Sequence, residues 1–208
     1  MDDPIVFDTV PIQIPTDAIY RRLGYRRAST RLSDEQKEKV EQAIEYGMSL
    51  VRLQGTYLRI PIQEKKTGHV SLLTGVVLES RNLAHLLKGS CEIIMMASTA
   101  GSHIIDAIQA DADEGNLARA VVLDALASEM TDGALDWIVE RLNREFRREN
   151  KRLTRRRFSA GYGDFALENQ RYIHSALRLK SLGISITEYF ILIPEKSVTA
   201  VCGLEHFL

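Results

Sequence analysis

Residues 91–97 read Cys-Glu-Ile-Ile-Met-Met-Ala, a nearly unbroken apolar run of strand length. Such a run is typical of a strand that is covered on both faces, so we place it inside a sheet. Upstream, residues 56–62 alternate with a period of two, and Leu58, Ile60 and Ile62 are expected to face one way. Thr67 and Gly68 can turn this segment into a hairpin with residues 70–77. The sequence therefore predicts a buried strand and a hairpin.

Helical patterns precede and follow these strands. Ser33 and Gln36 form a capping box that opens a helix running to about residue 51. From residue 117 to about 150 the pattern is helical, with apolar residues stepping by four, although residues 131–133 could restart the helix midway. Shorter helices are predicted at 18–23 (capped by Thr16 or Asp17), 81–88 (capped by Ser80), 103–112 and 167–182 (approached by a capping Asp164). Strands are predicted at 184–193 and 197–202, with a turn at 194–196, and residues 5–7 and 12–14 are expected to be short extended pieces. This order indicates an α+β domain with one sheet.

Composition excludes several classes of protein. The 208 residues carry a formal net charge of −1, so the chain as a whole is not a binder of polyanions. Cys91 and Cys202 are far apart in sequence, which argues against a disulfide framework or a zinc knuckle and favours a reducing compartment. The acidic start of the chain is unlike a signal peptide, and no apolar run is long enough to span a membrane. We expect a soluble cytoplasmic protein.

The most informative loop is Arg-Phe-Ser-Ala-Gly-Tyr-Gly-Asp-Phe at residues 157–165. Arg157 can grip a carboxylate or phosphate with two parallel N–H bonds. Gly161 and Gly163 can adopt positive φ and let a ligand approach the backbone. Tyr162 offers a flat face to a ring or a soft cation. The loop is predicted to bind a small ligand; the alternative is an ordinary turn whose arginine pairs with a nearby carboxylate.

A basic segment at residues 141–157 allows two interpretations. It could be a nucleic-acid stripe, or it could be the solvated face of a helix with i,i+4 ion pairs such as Arg141–Glu145. Aromatic residues are few within it, so we favour the solvated face. The hypothesis of a nucleic-acid binder is kept as the less favoured alternative.

Motifs for several enzyme classes are missing from the sequence. It contains no G-x-x-x-x-G-K loop, no G-x-G-x-x-G, no G-x-S-x-G elbow and no H-E-x-x-H. Two distant cysteines cannot form a three-thiolate zinc site, and the corrinoid-ligating D-x-H-x-x-G is also missing. We therefore predict no catalytic side chain and no metal site. A thiol or corrinoid centre would belong to a partner.

Several motifs between residues 80 and 204 occur in the order typical of one family. They lie at residues 86–90, 97–101, 120–127, 157–165, 183–188 and 193–198. Together they resemble the activation (reactivation) domain of cobalamin-dependent methionine synthase in its stand-alone form. The resemblance implies a single domain over residues 1–208, in which residues 1–79 supply N-terminal helices and a hairpin. It also implies a mostly antiparallel twisted sheet packed against several helices, including one long central helix.

The resemblance further implies a shallow S-adenosylmethionine site around R-x-x-x-G-Y. Arg157 would clasp the ligand's carboxylate, and Gly161 and Tyr162 would shape the wall beside it. Backbone from Ala160 and Gly163 would lie nearby.

A role with partners follows from the same resemblance. A flavodoxin-like donor would reduce the oxidised cobalamin of a separate methionine synthase, and S-adenosylmethionine would then methylate the cobalt.

Asp132 falls near the place of an acidic residue that lines the family's site. The family's N-terminal aspartate has no match within residues 1–32, and the sequence stops at Leu208, before the family's tyrosine pair. An alternative is therefore an interaction module that docks a corrinoid methyltransferase without binding S-adenosylmethionine. Neither nucleic acid nor membrane is expected as a partner.

Overall fold

A central antiparallel sheet organises the computed structural model, which describes residues 3–26 and 29–207. The strands are β1 (Ile5–Phe7), β2 (Gln54–Lys66), β3 (His69–Leu72), β4 (Val77–Glu79), β5 (Ser90–Thr99), β6 (Lys151–Leu153), β7 (Ser185–Ile186), β8 (Leu192–Ile193) and β9 (Ser197–His206). Seven of them form one sheet in the order β4-β3-β2-β5-β9-β6, with β1 added to β2. Strands β7 and β8 form a separate hairpin. All pairings are antiparallel.

Six helices surround the sheet within the described ranges. They are α1 (Thr16–Arg22), α2 (Asp34–Leu50), α3 (Arg81–Leu86), α4 (His103–Asp113), α5 (Leu117–Phe146) and α6 (Asn169–Ala176). None of these helices, as far as the chain is described, has the length and apolarity that a membrane span requires. The α+β class and the long central helix are confirmed. The ends of the predicted domain, residues 1, 2 and 208, lie outside the described residues, as do residues 27 and 28.

Both faces of β5 are covered, as its apolar sequence predicts. On one face Met95 packs with Leu58 and Ile60 against residues from α3 and α6. On the other face Ile94 and Met96 pack against α5. The N-terminal half of α5 packs with α1, α2 and α4 in a further apolar cluster. Strand β5 and helix α5 therefore position the rest of the molecule.

Local signals predicted several boundaries correctly. Ser33 Oγ accepts from the Gln36 N–H at 3.2 Å, and Gln36 Oε1 accepts from the Ser33 N–H at 2.9 Å, which confirms the capping box of α2. Ser80 Oγ accepts from the Leu83 N–H at 2.9 Å and caps α3. The β2–β3 hairpin turns at Thr67 and Gly68, with Gly68 at φ +90°.

Other predicted boundaries were wrong, each for a structural reason. Helix α5 runs through residues 131–133 without a restart; Gly133 is small there because an added Cβ would lie 2.9 Å from the Ile12 side chain. Pro15, not Thr16 or Asp17, is the N-cap of α1, and it makes no side-chain cap bond. The helix predicted at 167–182 is divided, because Arg178 adopts φ +50° between α6 and a 3₁₀ turn.

The strands of the hairpins are also shorter than predicted. Residues 184–193 form only the two-residue strands β7 and β8, with Phe190 at φ +63° in the turn between them. Residues 70–77 are divided between β3 and β4 by a turn. Of the two short extended pieces, residues 5–7 form β1, and residues 12–14 belong to no strand. Strand β9, by contrast, continues to His206, four residues beyond the predicted end.

The basic segment does not form the predicted helical ion pairs. The Arg141 guanidinium lies over the rings of Phe7 and Trp137, at 5.3 and 5.6 Å from their centroids, not against Glu145. Glu149 is bound by Arg59 from β2, at 2.7 Å, and by Lys151 from β6, at 3.3 Å. Part of the segment is therefore anchored in the fold through partners that are distant in sequence.

Candidate functional site

The loop at residues 157–165 begins as an extension of the sheet along β9. Phe158 and Val201 exchange two backbone hydrogen bonds, of 2.9 and 2.8 Å. Ser159 Oγ then donates to the Thr199 carbonyl at 2.8 Å. Ala160, which is buried, joins the apolar cluster on the α3 and α6 face. The first half of the loop is therefore held at fixed positions on β9.

A tight turn follows at Gly161. Its N–H donates to the Phe165 carbonyl at 2.8 Å, and the Phe165 N–H donates to the Tyr162 carbonyl at 3.0 Å. Gly161 and Gly163 have φ values of +89° and +56°, which favour glycine. A Cβ on Gly163 would lie 2.7 Å from Asn82 Nδ2, and one on Gly161 would lie 3.1 Å from a Leu167 methyl group. The turn itself requires both glycines.

Two aromatic residues anchor this turn, and a third does not. Phe165 is buried and stacks on Phe158 with ring centroids 6.1 Å apart. Tyr162 lies between them in sequence, but its side chain is exposed, at 69% of its full area. Tyr162 is therefore presented at the surface by a rigid support.

Asp164 connects the loop to α3. Its Oδ1 accepts from Ser80 Oγ at 2.5 Å and from the Asn82 N–H at 3.3 Å, and its Oδ2 accepts from the Arg81 N–H at 2.7 Å. The hydrogen bond from Ser80 is the main reason that the pKa of Asp164 lies below its usual value. The prediction that Asp164 caps the following helix was wrong. It binds the first turn of α3 instead.

Arg157 points to helix α5, on the other side of the sheet from Phe158. Its Nη1 donates to Oδ1 of Asp136, so the arginine already has a carboxylate partner. The Arg157 side chain is 26% exposed, whereas that of Asp136 is 68% exposed. One face of the ion pair is therefore accessible to solvent.

Acidic residues continue along the same part of α5. Arg22 binds Glu129 at 2.6 Å and approaches Asp132 at 3.8 Å. Burial, followed by repulsion from Glu129, raises the pKa of Asp132, while Arg22 and Arg157 oppose that rise. Arg157 is thus close enough to Asp132 to interact with its charge. The cluster of Arg157, Asp132 and Asp136 presents one forked cation beside two carboxylates.

This cluster has the charges that an α-amino acid requires. A guanidinium can bind the carboxylate of such a ligand, and a carboxylate can bind its ammonium group. Arg157 was a predicted site residue, and Asp132 was noted only as falling near an acidic position of the family's site; the two lie close enough for their charges to interact. Asp136 was missed, although its position one helical turn after Asp132 was a usable signal. Within the described part of the chain, Tyr162 makes no hydrogen bond and no cation–π contact with Arg157.

The chain was compared with protein families, curated proteins and solved structures, and only the solved structures gave a match. No protein-family model matches the sequence, and no curated protein matches it significantly. Among solved structures, it is similar to the MetH reactivation domain bound to AdoHcy, with a TM-score of 0.64 at 14% sequence identity. The similarity covers 88% of this chain and 71% of the other. The chain therefore has the fold of a methionine synthase reactivation domain.

Proposed function

We propose that this protein is an S-adenosylmethionine-binding reactivation module. It would support the reductive methylation of oxidised cob(II)alamin on a separate cobalamin-dependent methionine synthase. The observation that carries the proposal is the Arg157–Asp136 pair beside Asp132, within a fold whose solved relative binds AdoHcy. AdoHcy and S-adenosylmethionine share the same amino-acid tail, and that tail matches the charges of the cluster.

The pairing with Asp136 does not prevent Arg157 from binding a ligand. Asp136 occupies one of the two terminal nitrogens, and a guanidinium has five N–H donors. The ligand's carboxylate would bind the remaining donors of Arg157, and its ammonium group would bind Asp136 or Asp132. The exposed Tyr162 ring would lie beside the sulfonium, and backbone groups of Ala160, Gly161 and Gly163 would line the adjoining wall.

The contribution of the chain to the reaction would be positioning. When bound, S-adenosylmethionine supplies an electrophilic methyl group, and no side chain of this protein needs to act as an acid or a base. The residues around Arg157 would hold the amino-acid tail so that the methyl group faces the partner's cobalt, which shortens the search for a reactive geometry. The sequence has no corrinoid-ligating motif, so we assign cobalamin to the methionine synthase and the electron to a flavodoxin-like donor.

We further infer that residues 1–208 act as one domain in the cytoplasm. Strand β2, from the N-terminal part, pairs with β5 from the part that carries the family motifs, which supports a single unit. Both cysteines are free thiols, which fits a reducing compartment.

Isothermal titration with S-adenosylmethionine tests the ligand. The wild type should bind, and Arg157→Ala should weaken binding by at least about tenfold, because a charge-assisted hydrogen bond is lost. Arg144→Ala is the matched control, since Arg144 is an exposed arginine of α5 outside the cluster, and its affinity should be unchanged. No heat with the wild type would remove the ligand from the proposal.

A second candidate function is that of an interaction module that docks a corrinoid methyltransferase without S-adenosylmethionine. The specific observation in its favour is that Arg157 already has a carboxylate partner in the chain. Capture of the cobalamin-loaded synthase on immobilised protein distinguishes the two. Capture that is equal with and without S-adenosylmethionine, together with a flat titration, would support the second candidate.

A further inference from the structure

An arginine-rich turn joins strand β6 to the loop at residues 157–165, and the two segments share Arg157. This turn, residues 154–157, is bound to β9 at both ends. The Thr154 N–H donates to the Gly203 carbonyl at 2.8 Å, and Phe158, just after the turn, is bonded to Val201. Thr154 Oγ1 accepts from the Gly203 N–H at 3.0 Å and donates to the Arg156 carbonyl at 3.0 Å. The backbone of the turn is therefore held in one conformation.

Two exposed arginines on this turn have no counter-ion. Within the described ranges, the side chains of Arg155 and Arg156 make no ion pair and no hydrogen bond. The guanidinium of the nearby Arg152 lies over the Phe207 ring, 5.6 Å from its centroid, rather than against a carboxylate. Several other arginines are paired with carboxylates, as in Arg22–Glu129, Arg59–Glu92, Arg119–Asp111 and Arg178–Asp3. The exposed Arg144, Arg147 and Arg148 are without an ion pair in the described ranges too, but they lie outside the concave surface described next.

These cations face a concave surface. A groove of about 910 Å³ lies between the turn and α3, and it is lined by Asn82, His85, Leu86, Phe158, Glu205 and the arginines 152 and 155–157. Glu205 is the one carboxylate among these lining residues. A volume of this order is typical of pockets for small molecules. Strong positive charge on a fixed backbone within a bounded groove favours an anionic ligand of limited size.

We propose that this groove binds a small molecule that carries a phosphate chain. The planar forks of Arg155 and Arg156 match phosphate oxygens, and the repulsion between neighbouring cations is relieved when an anion binds. Leu86 and Phe158 supply an apolar surface against which an organic part of the ligand can lie. Arg157 also lines the groove, but its Nη1 donates to Asp136 on α5, so the phosphate chain is assigned to Arg155 and Arg156, whose side-chain donors are all free in the described ranges. The inference does not depend on the proposed function.

A nucleic-acid strand is a less suitable occupant. A strand needs a continuous row of free cations, but Arg141 is held over two rings, and Lys151 is paired with Glu92 and Glu149. Arg141 and Lys151 therefore interrupt the row of free cations that a strand would need along the basic segment.

The test is isothermal titration of the full chain with tripolyphosphate, ATP and adenosine. We expect tripolyphosphate and ATP to bind and adenosine not to bind. Tighter binding of ATP would identify a nucleotide as the ligand, and equal affinities would identify the phosphate chain alone; both results support the proposal. The double variant Arg155→Ala/Arg156→Ala should bind tripolyphosphate and ATP with at least about tenfold lower affinity than the wild type.

The matched control is Arg147→Ala/Arg148→Ala, which removes two exposed arginines outside the groove. It should change the affinities by less than about twofold, because charges outside the groove act only through screened, long-range attraction. Circular dichroism confirms that both double variants are folded. Failure of both phosphate probes to bind, or equal weakening by both double variants, overturns the proposal. So does tighter binding of a duplex DNA of arbitrary sequence than of either phosphate probe.

Discussion

Asp164 accepts a 2.5 Å hydrogen bond from the hydroxyl of Ser80, a residue that precedes it by 84 positions. The same hydroxyl accepts from the Leu83 N–H, so Ser80 caps α3 and contacts the loop at once. The carboxylate adds two further acceptor contacts to the first turn of that helix. The position of the R-x-x-x-G-Y loop is therefore coupled to the position of α3.

Asp164→Asn should lower the melting temperature at neutral pH, because an amide replaces a charged acceptor of three hydrogen bonds. The pKa of Asp164 is lowered in the folded state, so its contribution is present above the unfolded pKa and is lost as the pH falls through the folded pKa. The difference in melting temperature between wild type and variant should therefore shrink in acid. Thermal denaturation followed by circular dichroism, from neutral to acidic pH, measures this difference. A difference in melting temperature that persists unchanged in strong acid contradicts the prediction.

Gly163→Ala should destabilise the protein more than Gly24→Ala does. Both glycines have positive φ, which costs an alanine about 1 kcal/mol. At Gly24 an added Cβ meets nothing within 4 Å, whereas at Gly163 it would lie 2.7 Å from Asn82 Nδ2 and 3.4 Å from the Phe158 ring. Urea denaturation of the two variants gives the comparison. Equal losses would show that packing against Asn82 adds nothing.

Glu92→Gln should make stability less sensitive to acid. Hydrogen bonds from Arg59, followed by those from Lys151, lower the pKa of Glu92 to about 2, against the opposing effect of burial. The carboxylate therefore stabilises the fold above pH 4.5, and this contribution is lost as the pH falls toward 2. At neutral pH we expect Glu92→Gln to cost about 1–2 kcal/mol, because Arg59 and Lys151 lose a charged partner.

The control for this experiment is Glu35→Gln. Glu35 pairs with Lys39 one helical turn later, and both side chains are mostly exposed, so solvent screens the pair. Urea denaturation over a pH series should show a larger acid-dependent difference for Glu92→Gln than for Glu35→Gln. Parallel curves for the two variants would argue against the network around Arg59.

Phe165 and Tyr162 should respond oppositely in stability and in binding. Phe165→Ala removes a buried ring and should cost about 3–5 kcal/mol of unfolding free energy. Tyr162→Ala removes an exposed ring and should change the free energy of unfolding by less than about 0.5 kcal/mol. It should nevertheless lower the affinity for S-adenosylmethionine several-fold. Denaturation and titration on the same samples separate the two effects. Unchanged affinity in Tyr162→Ala would remove that ring from the site.

Asp136→Asn distinguishes two roles of Asp136, which are to bind the ligand's ammonium group or to compete with the ligand for Arg157. If Asp136 accepts the ligand's ammonium group, as we propose, the variant should bind S-adenosylmethionine about tenfold more weakly. If Asp136 merely competes for Arg157, the variant should bind more tightly. Titration of the folded variant therefore has two opposite outcomes, and an increase in affinity contradicts our assignment.

Short-range signals predicted much of the fold. The capping box at Ser33, the alternation in β2 and the apolar run of β5 each depend on neighbours within a few residues. Secondary-structure predictions failed where contacts between residues distant in sequence determine the conformation. The three-residue edge strand β6, for example, was not indicated by the sequence and is held by β9. The αL conformation of Arg178 also gave no local signal.

In the candidate site, too, local sequence predicted the loop but not the contacts that its residues make with distant parts of the chain. The R-x-x-x-G-Y spacing located the loop, but it gave no information on the partners of its charged residues. Asp164 binds the start of α3, and Arg157 binds a residue of α5 that lies 21 positions earlier. Such partners are set by how the elements pack, which residue spacing alone does not encode.

Strand β9 sets the separation of the two proposed ligand positions. Thr154 is bonded to Gly203, Phe158 to Val201 and Ser159 to Thr199, so three successive points of the chain are registered on one strand. The span between Thr154 and Phe158 carries Arg155 and Arg156, assigned to the anion, and Arg157, assigned to the amino-acid tail. A redesign of anion preference should therefore substitute Arg155 or Arg156 at constant chain length, because an insertion or deletion in this span would also displace Arg157 from Asp136.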